Sequence, residues 1–132
     1  MPRRPSPNRP AADRVREIAA GRRPSKYRNV ATVVDGIRFD SKAEATRWQM
    51  LKLLERAGGI RSLMRQVPFP LKVEGQLIAT MRPDFSYLEG DRLIADDTKG
   101  GKPTADWLLK AKLLRALYPS VELRVNGIRM KP

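Results

Sequence analysis

"RPDFSYLEGDRLIADDTKGG", residues 82–101, is the stretch whose reading decides the fold. Two apolar-rich runs flank Glu89-Gly90-Asp91, a composition that favours a tight turn. A turn centred on Gly90-Asp91 sets Leu88 opposite Leu93 and Ser86 opposite Ala95, and carried outward it sets Asp84 opposite Asp97. A four-residue loop, 89–92, keeps this pairing, whereas a three-residue loop shifts it. Strand side chains alternate, so Asp84, Asp97 and Lys99 share one face while Asp96 joins Ile94 and Thr98 on the other. In this register Asp96 is expected to be solvated or salt-bridged; a slip of one residue would put it in place of Asp97.

Two carboxylates opposed across a ladder repel each other. A chain that keeps them needs a cation between them, a shared proton or a basic neighbour. Oxygens converging in this way suit Mg²⁺, which takes a few carboxylates and retains several waters. Lys99 on the same side would hold a phosphate oxygen or orient an attacking water.

Composition narrows the chemistry. The chain holds 27 Lys and Arg against 14 Asp and Glu, a net charge of +13, which points to a polyanionic partner. Residues 1–28 carry a net +7 and residues 29–132 a net +6. With no cysteine there is no disulfide framework, thiolate nucleophile or zinc finger. With no histidine, Ser-His-Asp hydrolysis, His-ligated zinc and histidine-base nucleases are excluded. No apolar run reaches the roughly 18 residues of a membrane span, and the N-terminus has no apolar signal region, so a cytosolic location is expected.

Outward from the central stretch, the elements follow a mixed order. "MPRRPSPNRP" is too rich in proline and arginine to pack and reads as a disordered basic arm, with a short helix expected in "AADRVREIAAG". Residues 1–25 form this arm and residues 26–132 the domain. "VATVVDGIRF" predicts a hairpin about Asp35-Gly36. "DSKAEATRWQMLKLLERAGG" predicts a helix with Ser41 as N-cap, Gly58-Gly59 past its end, and Glu44 heading an inward stripe of Trp48, Leu51 and Leu54/Glu55. "VPFPLKV", "QLIATM", "DFSYL" and "RLIAD" predict strands; "TADWLLKAKLLRALYP" predicts a second helix capped by Thr104, and "VELRV" a last strand. The expected fold is α/β (α+β), a mixed sheet flanked by helices.

These residues carry a family resemblance. Pro83-Asp84, a hairpin and Asp97-Thr98-Lys99 resemble the signature of the PD-(D/E)xK nucleases, and "FDSKAEATRW" resembles the acidic helix that precedes it in many members. "KYRNVATVVDGIRFDSKAEA" is similar to the opening of a phage and prophage family of small endonuclease-like proteins of unknown function. Relatives of this general kind include Holliday-junction resolvases, mismatch-repair nickases and transposon end-cleaving nucleases. The resemblance implies a restriction-endonuclease-like core, αβββαβ, behind the N-terminal hairpin. It implies Asp84 and Asp97 as metal ligands, Glu44 as a third acid at the metal or its water, and Lys99 as the activating lysine. It further implies an Mg²⁺-dependent DNA endonuclease, with Mn²⁺ as a substitute, that leaves a 5′-phosphate and a 3′-hydroxyl. The expected substrate is double-stranded or branched DNA in phage DNA processing, and the expected location the host cytoplasm, beside the nucleoid. Paired cuts across a junction need a homodimer, although no dimerisation element is evident.

Each assignment has a plainer counterpart. Glu44 completes a capping box with Ser41, Asp84 is a turn residue after proline, and Asp97 with Lys99 is a strand-edge charge pair. "KGGKPT" fails as a phosphate loop, because Asp96 and Pro103 stand where glycine and Ser/Thr are needed. Trp48 and Trp107 are expected in the core. Arg3, Arg4, Arg9, Arg22, Arg23 and Lys26 of the arm, with Lys102 and Lys110, are the expected nucleic-acid contacts. For the arm the alternative is a docking segment for a host protein. For the whole chain it is a basic, non-catalytic nucleic-acid-binding accessory protein.

Overall fold

The computed structural model describes residues 31–131. The basic arm and its expected short helix lie outside these residues. The domain opens with β1 (Thr32–Val34) and β2 (Ile37–Phe39), joined at Asp35-Gly36. Both turn residues have positive φ, 53° and 75°, the type I′ geometry that Asp-Gly permits.

Helix α1 (Lys42–Arg56) begins where Ser41 Oγ accepts the Glu44 N–H at 3.1 Å. Gly58 (φ 82°) then turns the chain out of the helix. The inward stripe runs Ala45, Trp48, Leu51. Leu54, expected to continue it, is 41% exposed, while Glu55 turns back to accept the Leu63 N–H at 3.0 Å.

Strands β3 (Arg61–Arg65), β4 (Phe69–Val73), β5 (Gln76–Met81), β6 (Phe85–Glu89) and β7 (Arg92–Asp97) follow, then α2 (Ala105–Leu117), β8 (Val121–Val125) and β9 (Ile128–Arg129). The central sheet has the order β3-β6-β7-β8-β9, antiparallel except where α2 carries the chain from β7 to a parallel β8. Strand β3 pairs irregularly with β6: the register shifts between Arg61 and Met64, and Ser62 lies in the left-handed region at φ 56°. β4 and β5, expected among the run of strands, form a hairpin of their own outside this sheet and pack on α2. With that hairpin set aside, the order α1, β3, β6, β7, α2, β8 is the expected αβββαβ. Neither β3 nor β9 was among the strands expected from the sequence.

Each face of the sheet buries one half of the core. Phe39, Trp48, Phe85, Tyr87 and Ile94 pack beneath α1 and the first hairpin, with Trp48 and Phe85 ring centroids 5.9 Å apart. Phe69, Leu71, Ala95, Leu114 and Leu123 pack beneath α2 and the β4–β5 hairpin. Adjacent Ile94 and Ala95 thus serve opposite faces, as alternation requires. No helix among the described residues is long and apolar enough to cross a membrane.

Candidate active site

The β6–β7 register sets the site. Glu89 pairs with Arg92, Leu88 with Leu93, Ser86 with Ala95 and Phe85 with Asp96. Asp84, just before β6, therefore faces Asp97, as the turn centred on Gly90-Asp91 requires. The Asp84 N–H donates to Asp97 Oδ1 at 3.1 Å, and the Thr98 N–H donates to Asp84 Oδ2 at 2.8 Å. Each aspartate is thus held by the backbone of the opposite strand. The buried Pro83 fixes the chain entering this position.

Asp97 is 5% exposed and carries the main polar load. Its Oδ2 accepts from Trp107 Nε1 at 2.9 Å and lies 3.1 Å from Lys99 Nζ. The Lys99 ammonium also sits over the Trp107 ring, 4.9 Å from the centroid. Glu44 reaches the same place from the first turn of α1. Burial first, then the charge of Asp97 and the hydrogen bond and charge of Glu44, opposed by the Thr98 N–H, together push the Asp84 carboxyl up to about 9. Asp97 and Glu44 therefore both act on Asp84.

Two hollows meet at this centre. One, of about 510 Å³, is lined by residues 40–44 at the start of α1, by Asp84 and Asp97, and by residues 98–104 leading into α2. The other, of about 470 Å³, lies across Asp84, Asp97 and Lys99 and is lined by Thr80, Met81, Arg82, Trp107 and Lys110. Exposed Lys102 is on the rim of the first, and Lys110, 3.5 Å from Asp106, on the second. The other expected contacts, Arg3, Arg4, Arg9, Arg22, Arg23 and Lys26, lie outside the described residues.

Asp96 is turned away from the site and fully buried, so the solvated reading is corrected in favour of the salt bridge. Its Oδ2 accepts from Arg47 Nη2 at 2.6 Å and from the Tyr87 hydroxyl at 2.7 Å. Burial alone would lower the Arg47 guanidinium, but the hydrogen bond and charge of Asp96 outweigh it and hold it above its ordinary value. Burial, then the bond to Asp96 and its charge, pushes Tyr87 up to about 12.

Two residues of the site were not foreseen. Trp107, expected in the core, is only partly buried and spends its N–H on Asp97. Thr104 caps α2 by accepting the Trp107 N–H at 3.1 Å, and helical side chains lean toward the N-terminus, which here faces Asp97. Asn126, in the β8–β9 turn, donates to and accepts from the Lys99 backbone. The Asn126-Gly127 dipeptide is the sequence signal for that turn.

The donor set bears on whether a metal fits. Among the described residues, no group of three or more acids is arranged as a ready metal cage, so the set Asp84, Asp97 and Glu44 is not assembled as three ligands to one ion. Mg²⁺ asks less: one or two carboxylates, with waters completing its shell. Asp84 and Asp97, tied to each other by the Asp84 N–H and both lining the same hollow, fit that demand.

A mixed α+β domain with a crowded carboxylate pair, a third acid and a lysine at one end of its sheet is the class of molecule defined here. Over residues 24–131 the chain matches the family described as "Protein of unknown function (DUF1064)", and it belongs to that family. No curated protein and no solved structure matches it.

Proposed function

We propose that this chain is an Mg²⁺-dependent DNA endonuclease. The observation that carries the reading is the meeting of Asp84, Asp97, Glu44 and Lys99 at one hollow. Net charge of +13 supports a polyanionic substrate. So do the first turn of α1 and the N-cap of α2, which both border the hollow and turn partial positive charge toward it.

The second hollow bears on where a strand is cut. A site closed on one side takes a terminal phosphate. Two hollows that share Asp84, Asp97 and Lys99 would let a strand enter by one and leave by the other, which favours cutting at an internal phosphodiester. Branched DNA follows from the resemblance, and paired cuts there would need two copies of the chain.

Bound Mg²⁺ would supply Lewis-acid activation of water and neutralise phosphate charge. Asp84 and Asp97 would hold it. Lys99 Nζ, 3.1 Å from Asp97 Oδ2, would donate to a non-bridging phosphate oxygen. Glu44, in the first turn of α1, would take the proton of the attacking water. The water oxygen bonds to phosphorus, the bond to the 3′ oxygen breaks, and that oxygen gains a proton, leaving 5′-phosphate and 3′-hydroxyl ends.

One observation favours the non-catalytic reading instead: Asp97 is already balanced by Lys99 and Trp107 without a metal. Incubation with linear, nicked, single-stranded and four-way-junction DNA separates the two. Cleavage of at least one substrate with Mg²⁺ and none with EDTA is expected. Binding to all of them without any cut would make the chain an accessory protein.

The second hollow gives its own expectation. Replacing Arg82 and Lys110 together by alanine should weaken DNA binding and reduce the log–log salt slope by about 2, one per lost phosphate contact. The Lys110–Asp106 pair, with Asp106 exposed and 3.5 Å between the charges, offers little competition. Fluorescence anisotropy across a KCl series without Mg²⁺ measures this; an unchanged slope would remove this hollow from the strand's path.

A further inference from the structure

We propose that Asn126 is a positioning residue that fixes Lys99, acting as a substitute strand partner beyond the end of the sheet. The inference rests on the reading of Lys99 as the cation of the site.

Strand β7 ends at Asp97, and its parallel pairing with β8 ends there too, at Val125. Lys99 therefore lies past the last ladder pair, and Gly100-Gly101 follows it. Such a lysine has nothing in the sheet to hold its backbone, and the glycines after it give the chain extra freedom. Asn126 fills this gap. Its side-chain Oδ1 accepts the Lys99 N–H at 3.0 Å, and its Nδ2 donates to the Lys99 carbonyl at 3.0 Å. The amide thus makes both bonds that a neighbouring strand residue would make. Its own N–H donates to the Asp97 carbonyl at 2.9 Å, so one residue ties the backbones of Asp97 and Lys99.

The turn is suited to the task. Asn126 and Gly127 have φ of 52° and 78°, and Val125 pairs with Ile128, so the two form a type I′ hairpin turn. Asparagine tolerates the left-handed region and carries both a donor and an acceptor. Aspartate would tolerate the turn but lose the donor; glycine would keep the turn and lose both bonds. The other holds on Lys99 are on its side chain: the ion pair with Asp97 and the contact with the Trp107 ring. With the backbone released, the ammonium can leave both.

Asn126→Gly tests this on the full chain, since glycine is at home at φ 52°. An amine-reactive acylating reagent, read by peptide mass spectrometry, reports the labelling rate of Lys99 against the other lysines. The expected result is a severalfold rise confined to Lys99, with circular dichroism unchanged. Where wild-type protein cleaves DNA, kcat should fall about tenfold with DNA affinity kept. Asn126→Asp should give an intermediate rise, and it serves alone if the glycine variant does not fold. Unchanged Lys99 labelling in a folded variant would overturn the proposal and leave Asn126 a turn residue only. Raised labelling in a chain that never cuts DNA would sustain the positioning role and sink the nuclease reading instead.

Discussion

Asp84→Asn is expected to abolish cleavage and at the same time make the metal-free protein more stable. The loss should be at least on the order of 1,000-fold, because an amide is a poor ligand and supplies no charge for Lewis-acid activation. Binding to DNA should hold, since the substitution removes no basic group. The stability gain comes from the same crowding. Asp84 is desolvated beside Asp97 and Glu44, and only the Thr98 N–H, which an amide oxygen still accepts, favours its charge. Removing such a conflict at a functional site is commonly worth about 0.5–2 kcal/mol. For a domain of this size that is a rise in melting temperature of several degrees.

The pH dependence has a definite sign. The folded-state value of Asp84, about 9, lies above its ordinary 3.8, so the folded protein binds the extra proton. Its contribution to stability is full below pH about 4 and is lost as the pH rises through about 9. Metal-free wild type should therefore melt at falling temperatures between those limits, and Asp84→Asn should flatten the decline. Retained cleavage, or a variant less stable than wild type at pH 8, would refute the assignment.

Asp96→Ala is expected to have the largest effect on folding. It strips the partner from Arg47 and the acceptor from the Tyr87 hydroxyl, both packed against the core beneath α1. Breaking a buried pair by removing one member costs about 3–5 kcal/mol, a large share of the roughly 5–15 kcal/mol that holds a domain together. The pair itself is not an optimised bond: Asp96 Oδ1 and Arg47 Nε are buried with no hydrogen-bond partner. Replacing both members, Asp96→Leu with Arg47→Met, should therefore recover most of the loss. Urea unfolding followed by the fluorescence of buried Trp48 measures each variant. A single substitution costing under about 1 kcal/mol would show that α1 is held to the sheet by apolar packing alone.

Much of this was legible along the chain because it is local. The I′ turn at Asp35-Gly36, the Ser41 and Thr104 caps and the Glu89–Arg92 turn each rest on a few neighbouring residues whose stereochemistry leaves little choice. Once that last turn was placed, alternation separated Asp96 from Asp97. The rest depends on distant segments. Nothing near Asp96 announces Arg47, 49 residues away. Periodicity marks Trp107 as apolar-facing but cannot tell that its N–H ends on a carboxylate. β4 and β5 have strand patterns like their neighbours, and only three-dimensional packing sends them onto α2 rather than into the central sheet.

The two outer strands of that sheet have a bearing on how the molecule behaves in company. Proteins crowded together can zip into one another through the unpaired backbone groups of edge strands. Here one border, β9, is two residues long and offers little to pair with. The opposite border, β3, is bulged at Ser62 and ends in Arg61 and Arg65, so an approaching strand meets a broken ladder and like charge. Both borders are thus poor templates for edge-to-edge pairing.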